Sequence, residues 1–249
     1  YAANSLFATL ISYSNEIARI CQAIGKIDVV DVWKGVHLDN RLSPIIHNTR
    51  IHPGLINYLN SGCGYGGSCF PKDTKALSSY AQSVGIESWI MKSVIQTNET
   101  QPLQMLSLLK QAIQTIQGKR IAILGLSFKP NTDDIRESAA IPIIQALIKQ
   151  KADIVVHDPV AQLTDQQLLL HVKVASNIKE ALFDADAALV ITAWNIYREL
   201  TPRDFTKIMK KPIIIDGRRI YDKDRFIGRG ITLSCRSVTS TGAPQIDEN

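Results

Sequence analysis

The chain lacks any apolar run approaching the roughly eighteen residues a membrane-crossing helix needs, and no leader-like pattern opens it. A soluble, cytoplasmic protein without a membrane partner is expected. Cysteine is scarce. Cys21, Cys63, Cys69 and Cys235 contain no C-x-x-C pair, which excludes a zinc ribbon or a dithiol redox motif. Free thiols are the simplest reading, although a bridge between Cys63 and Cys69 stays open. His37, His47, His52, His157 and His171 show no metal-ligand spacing, so surface or loop histidines and no metal site are expected. Aromatic residues are only 6% and do not interleave with a basic helix, which argues against nucleic acid. No G-x-G-x-x-G fingerprint occurs, so the chain shows no dinucleotide signature of its own.

What is present describes an ordinary globular protein, with 45% hydrophobic and 20% charged residues over a length that allows two modest domains. The net charge of +5 would suit an anionic ligand such as a nucleotide diphosphate, and equally a solvated surface. The most informative stretch is Gly62-Cys63-Gly64-Tyr65-Gly66-Gly67-Ser68-Cys69-Phe70-Pro71-Lys72-Asp73. Its glycines permit left-handed backbone and close approach of a ligand. Lys72 places positive charge where a thiolate of Cys69 would form, and Asp73 can orient water or the lysine. On residue chemistry alone, a glycine turn followed by an inert buried cysteine is the alternative.

Leu6, Leu10, Tyr13, Ile17 and Ile20 recur at helical spacing and predict an amphipathic helix over 1–24 that stops at Gly25. A helical turn over 29–35 and a long loop to about residue 61 follow. A helix is expected from about Thr74, capped by Asp73, and another helical pattern over 88–117 that Pro102 should kink or restart. At Gly118 the pattern changes to short apolar runs at 120–124, 153–157, 187–192 and 212–216, alternating with helical stretches. That alternation predicts a doubly wound parallel sheet. The expected fold class is α/β, with an all-helical domain over 1–117 and a Rossmann-like domain over 118–249.

The order of the cysteine loop resembles the catalytic loop of the nucleotide-sugar dehydrogenases, and within them the UDP-glucose 6-dehydrogenase group. The opening Tyr1-Ala2-Ala3-Asn4-Ser5-Leu6-Phe7-Ala8-Thr9 is similar to the helix after the family's cofactor domain. The segment from Gly125-Leu126-Ser127-Phe128-Lys129-Pro130 to Arg136-Glu137-Ser138 is similar to the start of its carboxy-terminal domain. The resemblance implies oxidation of a sugar C6 alcohol to the acid by NAD, with Cys69 holding the carbonyl carbon and Asp73 and Asn4 assisting. It implies substrate contacts from Asn60, Ser61, Gly62, Gly64, Tyr65, Gly66, Phe128, Lys129 and Arg218, and NAD contacts from Cys69, Lys72 and Arg136. One arginine, Arg50 or else Arg41, would reach the sugar site of a neighbouring subunit, so a homodimer through the central helices is expected.

The family's NAD domain precedes the position of Tyr1, so the chain is expected to be the central and carboxy-terminal parts of a larger enzyme, inactive alone. The run Ser68-Cys69-Phe70-Pro71-Lys72-Asp73 favours glucose over amino sugars or GDP-mannose. A non-catalytic nucleotide-sugar-binding module is the rival from another class. A cysteine hydrolase would need a base near Cys69, and no histidine has that context.

Overall fold

The computed structural model describes residues 1–25, 27–226, 228–235 and 238–241. The chain divides into two compact units, Tyr1–Gln101 and Pro102–Cys235, with Val238 grouped with the first and 239–241 with the second. The first is built on α1 (Ala2–Ile24), which packs on α3 (Cys69–Ser83) and α4 (Trp89–Thr100). Between α1 and α3 lie α2 (Val29–Val36), a hairpin of β1 (Ile45–Ile46) and β2 (Thr49–Arg50), and a 3-10 turn, Gly54–Tyr58. Asp28 caps α2 by accepting the Val30 N–H at 2.9 Å. His47 and Asn48, both left-handed (φ 49° and 59°), form the two-residue hairpin turn that matches strand twist.

The face that α1 buries is made of small residues: Ser5, Ala8, Ser12, Asn15, Ala18 and Cys21. The apolar ridge of the same helix divides. Leu10 and Ile17 pack on the cluster of Val29, Trp33 and Leu59, whereas Leu6, Tyr13 and Ile20 are about half exposed. Small side chains let α3 and α4 approach closely, so burial here selects for size over hydrophobicity.

The helix expected from Thr74 starts five residues earlier, at Cys69, so Asp73 lies inside it and is no cap. Pro71 is tolerated because a first-turn N–H has no intrahelical partner to lose. The helical pattern expected over 88–117 restarts at Pro102, since α4 ends at Thr100 and α5 (Gln104–Ala112) begins beyond it and ends short of residue 117. Proline there removes a ladder hydrogen bond and disfavours helix in the residue before it. α5 packs on strands of the second unit, so the units divide at Gln101 and Pro102, ahead of the change of pattern at Gly118.

The second unit runs β3 (Arg120–Leu124), α6 (Ala140–Lys149), β4 (Asp153–His157), α7 (Gln166–Leu169), β5 (Val172–Val174), α8 (Ile178–Leu182), β6 (Ala187–Val190), α9 (Asn195–Arg198), α10 (Pro202–Ile208), β7 (Ile213–Asp216), α11 (Lys223–Phe226), β8 (Thr232–Cys235) and β9 (Val238–Thr241). The sheet order is β5-β4-β3-β6-β7-β8-β9, and the pairs from β5 through β8 are parallel. All four residues of β6 and of β7 are buried, as are the last four of β3 and β4, which explains their unbroken apolar runs. This is the doubly wound α/β unit the alternation predicted. His157 is not a loop or surface histidine: it is buried at the end of β4, where Nδ1 lies 2.9 Å from the Tyr197 hydroxyl.

Gly125, just after β3, sits at φ +105°, and a Cβ there would come within 2.4 Å of the Thr192 side chain and 2.6 Å of its backbone nitrogen. Gly125→Ala therefore combines backbone strain with a clash that side-chain motion cannot relieve, and is expected to destabilise the second unit by about 3 kcal/mol. Urea unfolding checks this, and an unchanged midpoint would refute the close approach.

Candidate active site

The glycine loop is held by carboxamides. Asn15 of α1 accepts the Gly62 N–H at 2.8 Å, and Gln101 donates to the Gly62 carbonyl at 2.8 Å. Asn98 of α4 makes a reciprocal pair with Tyr65, accepting its N–H at 2.8 Å and donating to its carbonyl at 3.0 Å. Gly64 passes over Asn98 at φ +98°, where a Cβ would lie 2.6 Å from Oδ1. Tyr65 is buried with Ala8 and Val94, and its ring meets Phe70 edge-on at 6.1 Å. Ser61 and Gly62 are buried, whereas Asn60 is exposed and folds its side chain onto the Asn57 carbonyl at 3.0 Å. The backbone of Gly62, Gly64 and Tyr65 is thus fixed, with Gly66 half-buried beside it.

This loop delivers Cys69 to the head of α3, exposed and as a free thiol; Cys63 is buried. No disulfide joins them. Ser68 Oγ lies 3.7 Å from Cys69 Sγ. One helical turn on, Asp73 is buried at the face where α1 crosses α3, and Asn4 donates to its Oδ2 at 2.6 Å. Lys72 pairs with Oδ1 at 2.9 Å and also lies 5.6 Å from the centroid of the Tyr1 ring. The Asn4 hydrogen bond, with that of Lys72 second, holds the Asp73 carboxyl below the usual carboxylate range. The same carboxylate raises the Lys72 ammonium above its ordinary value. The geometry supplies an accessible sulfur, a fixed carboxylate and an amide donor from a second helix.

Arg41 and Arg50 separate in the structure. Arg50 donates to the carbonyls of Leu38 (2.9 Å) and Ser43 (2.7 Å) and so ties its own loop together. Arg41 is almost fully exposed and pairs with Asp39 at 2.6 Å.

In the second unit, Phe128 is half-buried with its N–H on the Asp134 carbonyl at 3.1 Å, and Lys129 is exposed, 5.4 Å from the Phe128 ring centroid. Arg136 is exposed and forks onto Asp134, with contacts of 2.8 to 3.2 Å. Arg218 follows β7 and donates to the Ile191 carbonyl at 2.5 Å. Its loop turns on buried Asp216, which accepts the N–H groups of Arg218 and Tyr221, each at 3.0 Å. Burial pushes that carboxyl up despite these bonds. Lys129 and Arg218 thus belong to loops at the carboxyl ends of the strands, where such sheets bind ligands. The N–H groups of Leu126 and Ser127, at the turn where such folds meet a pyrophosphate, both end on Asp158 Oδ2 at 2.8 and 3.0 Å.

Asn15, Asn98 and Gln101 escaped the sequence reading. The available signal was polar side chains on helix faces that pack inward, with Asn98 and Gln101 one turn apart. Among the described residues, no group of histidine, cysteine and acidic side chains could hold a metal, and no helix is long and apolar enough to cross a membrane.

A cysteine at the head of a helix beside a clamped glycine loop, and a doubly wound sheet after it, are the two features to set beside known proteins. The chain belongs to the UDP-glucose/GDP-mannose dehydrogenase family: residues 1–100 match its central domain and 122–223 its UDP binding domain. It is 40% identical to the UDP-glucose 6-dehydrogenase AglM of Haloferax volcanii over 90% of this chain and 48% of that protein. TuaD of Bacillus subtilis, a UDP-glucose 6-dehydrogenase, is 36% identical over 92% of this chain and 47% of its own length. The chain thus spans about half the length of the curated relatives it matches. A solved UDP-glucose dehydrogenase from Pyrobaculum islandicum superposes with a TM-score of 0.74 at 31% identity, covering 90% of this chain and 48% of that one.

Asn4→Ala removes the main donor to the charged form of Asp73, so its carboxyl is expected to titrate closer to the ordinary value of about 3.9. A carbon-13 NMR titration of Asp73 reads this directly, and an unshifted carboxyl would remove Asn4 from the site.

Proposed function

We propose that this chain carries the nucleophile and the UDP-binding surface of an NAD-dependent UDP-glucose 6-dehydrogenase. The exposed Cys69 thiol, one helical turn ahead of the fixed Asp73, is the observation that carries the reading. Cys69 Sγ adds to the C6 aldehyde, the carbonyl oxygen takes a proton, and a thiohemiacetal forms. NAD, when bound, supplies the hydride acceptor for each of the two oxidations. Once the second has given a thioester, Asp73 orients water toward its carbonyl carbon; attack breaks the C–S bond, returns the thiol and leaves the acid. Asn4 acts through Asp73 and offers hydrogen bonds at the reacting oxygen. Lys72 and Arg136 are the exposed cations assigned to NAD.

Phe128, Lys129 and Arg218 would hold the UDP moiety, and the fixed backbone over 60–66 would hold the sugar. Arg41 suits the neighbouring sugar site better than Arg50, because Arg50 is spent on carbonyls of its own loop. The half-exposed Leu6, Tyr13 and Ile20, spaced by seven residues on α1, suit a second copy of the same helix.

A different nucleotide sugar is the second reading, because a solved NDP-N-acetyl-D-galactosaminuronic acid dehydrogenase from Methanosarcina mazei matches with a TM-score of 0.78 at 26% identity, over 97% of this chain and 50% of that one. Calorimetric titration with UDP is expected to show saturable binding that Lys129→Ala weakens roughly tenfold to a hundredfold. Absence of binding at millimolar UDP would sink the reading. In an enzyme that joins these residues to an NAD domain, Cys69→Ala is expected to abolish NAD reduction with UDP-glucose; an inert parent would redirect the search to other sugars. Tyr13→Glu with Ile20→Glu is expected to yield monomers by light scattering, and an unchanged mass would move the dimer elsewhere.

A further inference from the structure

The second unit has the strand order of dinucleotide-binding folds, with its crevice where the order reverses, between β3 and β6. In such folds the turn leaving the first strand offers free N–H groups to a pyrophosphate. Here a side chain of the same unit takes them. Asp158, immediately after β4, accepts on Oδ2 from the N–H groups of Leu126 and Ser127, from Ser127 Oγ at 3.1 Å and from the Trp194 indole N–H at 3.1 Å. Oδ1 takes the N–H groups of Val160 and Ala161 at 3.0 and 2.8 Å. Trp194 comes from the other wall of the crevice, after β6, and its indole is also 3.1 Å from Ser127 Oγ. Thr192 Oγ1 then donates to the Ser127 carbonyl at 2.5 Å. Ser127 is fully buried and Trp194 nearly so. Both walls are thereby joined through one carboxylate. Burial pushes the Asp158 carboxyl up, but the backbone N–H groups around it outweigh burial and hold it below the usual range.

We propose that Asp158 is an internal stand-in for a phosphate: it seals the dinucleotide crevice of this unit and, as a positioning residue, fixes Phe128 and Lys129 for UDP. A phosphate entering the crevice would find its donors taken and a negative charge in their place. The next two residues of the same turn are Phe128 and Lys129, so their placement depends on where Leu126 and Ser127 are anchored. The positioning half rests on the UDP reading above; the sealing half does not.

Asp158→Asn and Asp158→Ala, compared with the wild-type chain, test both halves through UDP calorimetry and amide exchange at 126–129. Loss of the charged acceptor is expected to speed exchange at Leu126 and Ser127 and to weaken UDP by about tenfold or more in both variants. Formate should restore exchange protection and UDP affinity in Asp158→Ala, because it returns a carboxylate to the same donors, and should leave the wild type unchanged. Protection equal to wild type, or faster exchange that formate does not reverse, overturns the sealing. Lost protection with unchanged UDP affinity overturns the positioning. A wild-type chain that fails to bind UDP overturns the earlier reading and the positioning with it, and the sealing is then decided by exchange and formate alone. Where Asp158→Ala does not fold, Trp194→Phe deletes one donor and keeps the ring: unchanged exchange at Ser127 counts against the sealing, and faster exchange supports it.

Discussion

Everything at the cysteine end depends on the carboxamides that grip the loop before it. A glycine-rich segment loses more conformational entropy on ordering than any other, and once buried its peptide groups must all find partners. Neighbouring strands meet that demand in a sheet; here Asn15 and Asn98 meet it from helices and Gln101 from the end of one. A carboxamide offers both a donor and an acceptor, so Asn98 can pair with the N–H and the carbonyl of one residue as another peptide would. The loop therefore takes its rigidity from α1 and α4, and passes it to the first turn of α3.

The second unit solves a similar problem with the opposite chemistry. Its strand-end turns present N–H groups in excess, and carboxylates, which only accept, match that excess. Asp158 collects the turn after β3 and Asp216 the turn after β7. The two differ in balance: hydrogen bonds prevail over burial at Asp158, and burial prevails at fully enclosed Asp216.

How far the sequence could be read follows from these two styles of support. The parallel sheet was legible because strands buried on both faces leave unbroken apolar runs such as Ile121 to Leu124 and Ile213 to Ile215. Short β5, with two of its three residues exposed, carries no such signature. Cys69, Lys72 and Asp73 announced themselves as a local cluster, and the resemblance supplied Asn4, which lies 69 positions away from its partner. The clamps at Asn15, Asn98 and Asp158 were invisible because their meaning resides in long-range pairs. The start of α3 was misjudged because proline and a well-placed aspartate look like a boundary, and in a first turn they are compatible with helix. The inward face of α1 was misjudged because hydrophobicity marks burial only where space is available.

That face has an evolutionary corollary. The two sides of α1 obey opposite rules of substitution: outward positions can drift among large apolar or amphipathic side chains, whereas Ala8 and Ala18, with no exposed surface, can drift only toward something no bigger. An added methyl group would act as a wedge against Tyr65 and Val94 at Ala8, and against Val29, Trp33 and Leu59 at Ala18. The packing of this unit is thus written into alanine and serine, and a lineage that kept Cys69, Lys72 and Asp73 could still disturb the glycine loop ahead of them by enlarging one of the smallest residues.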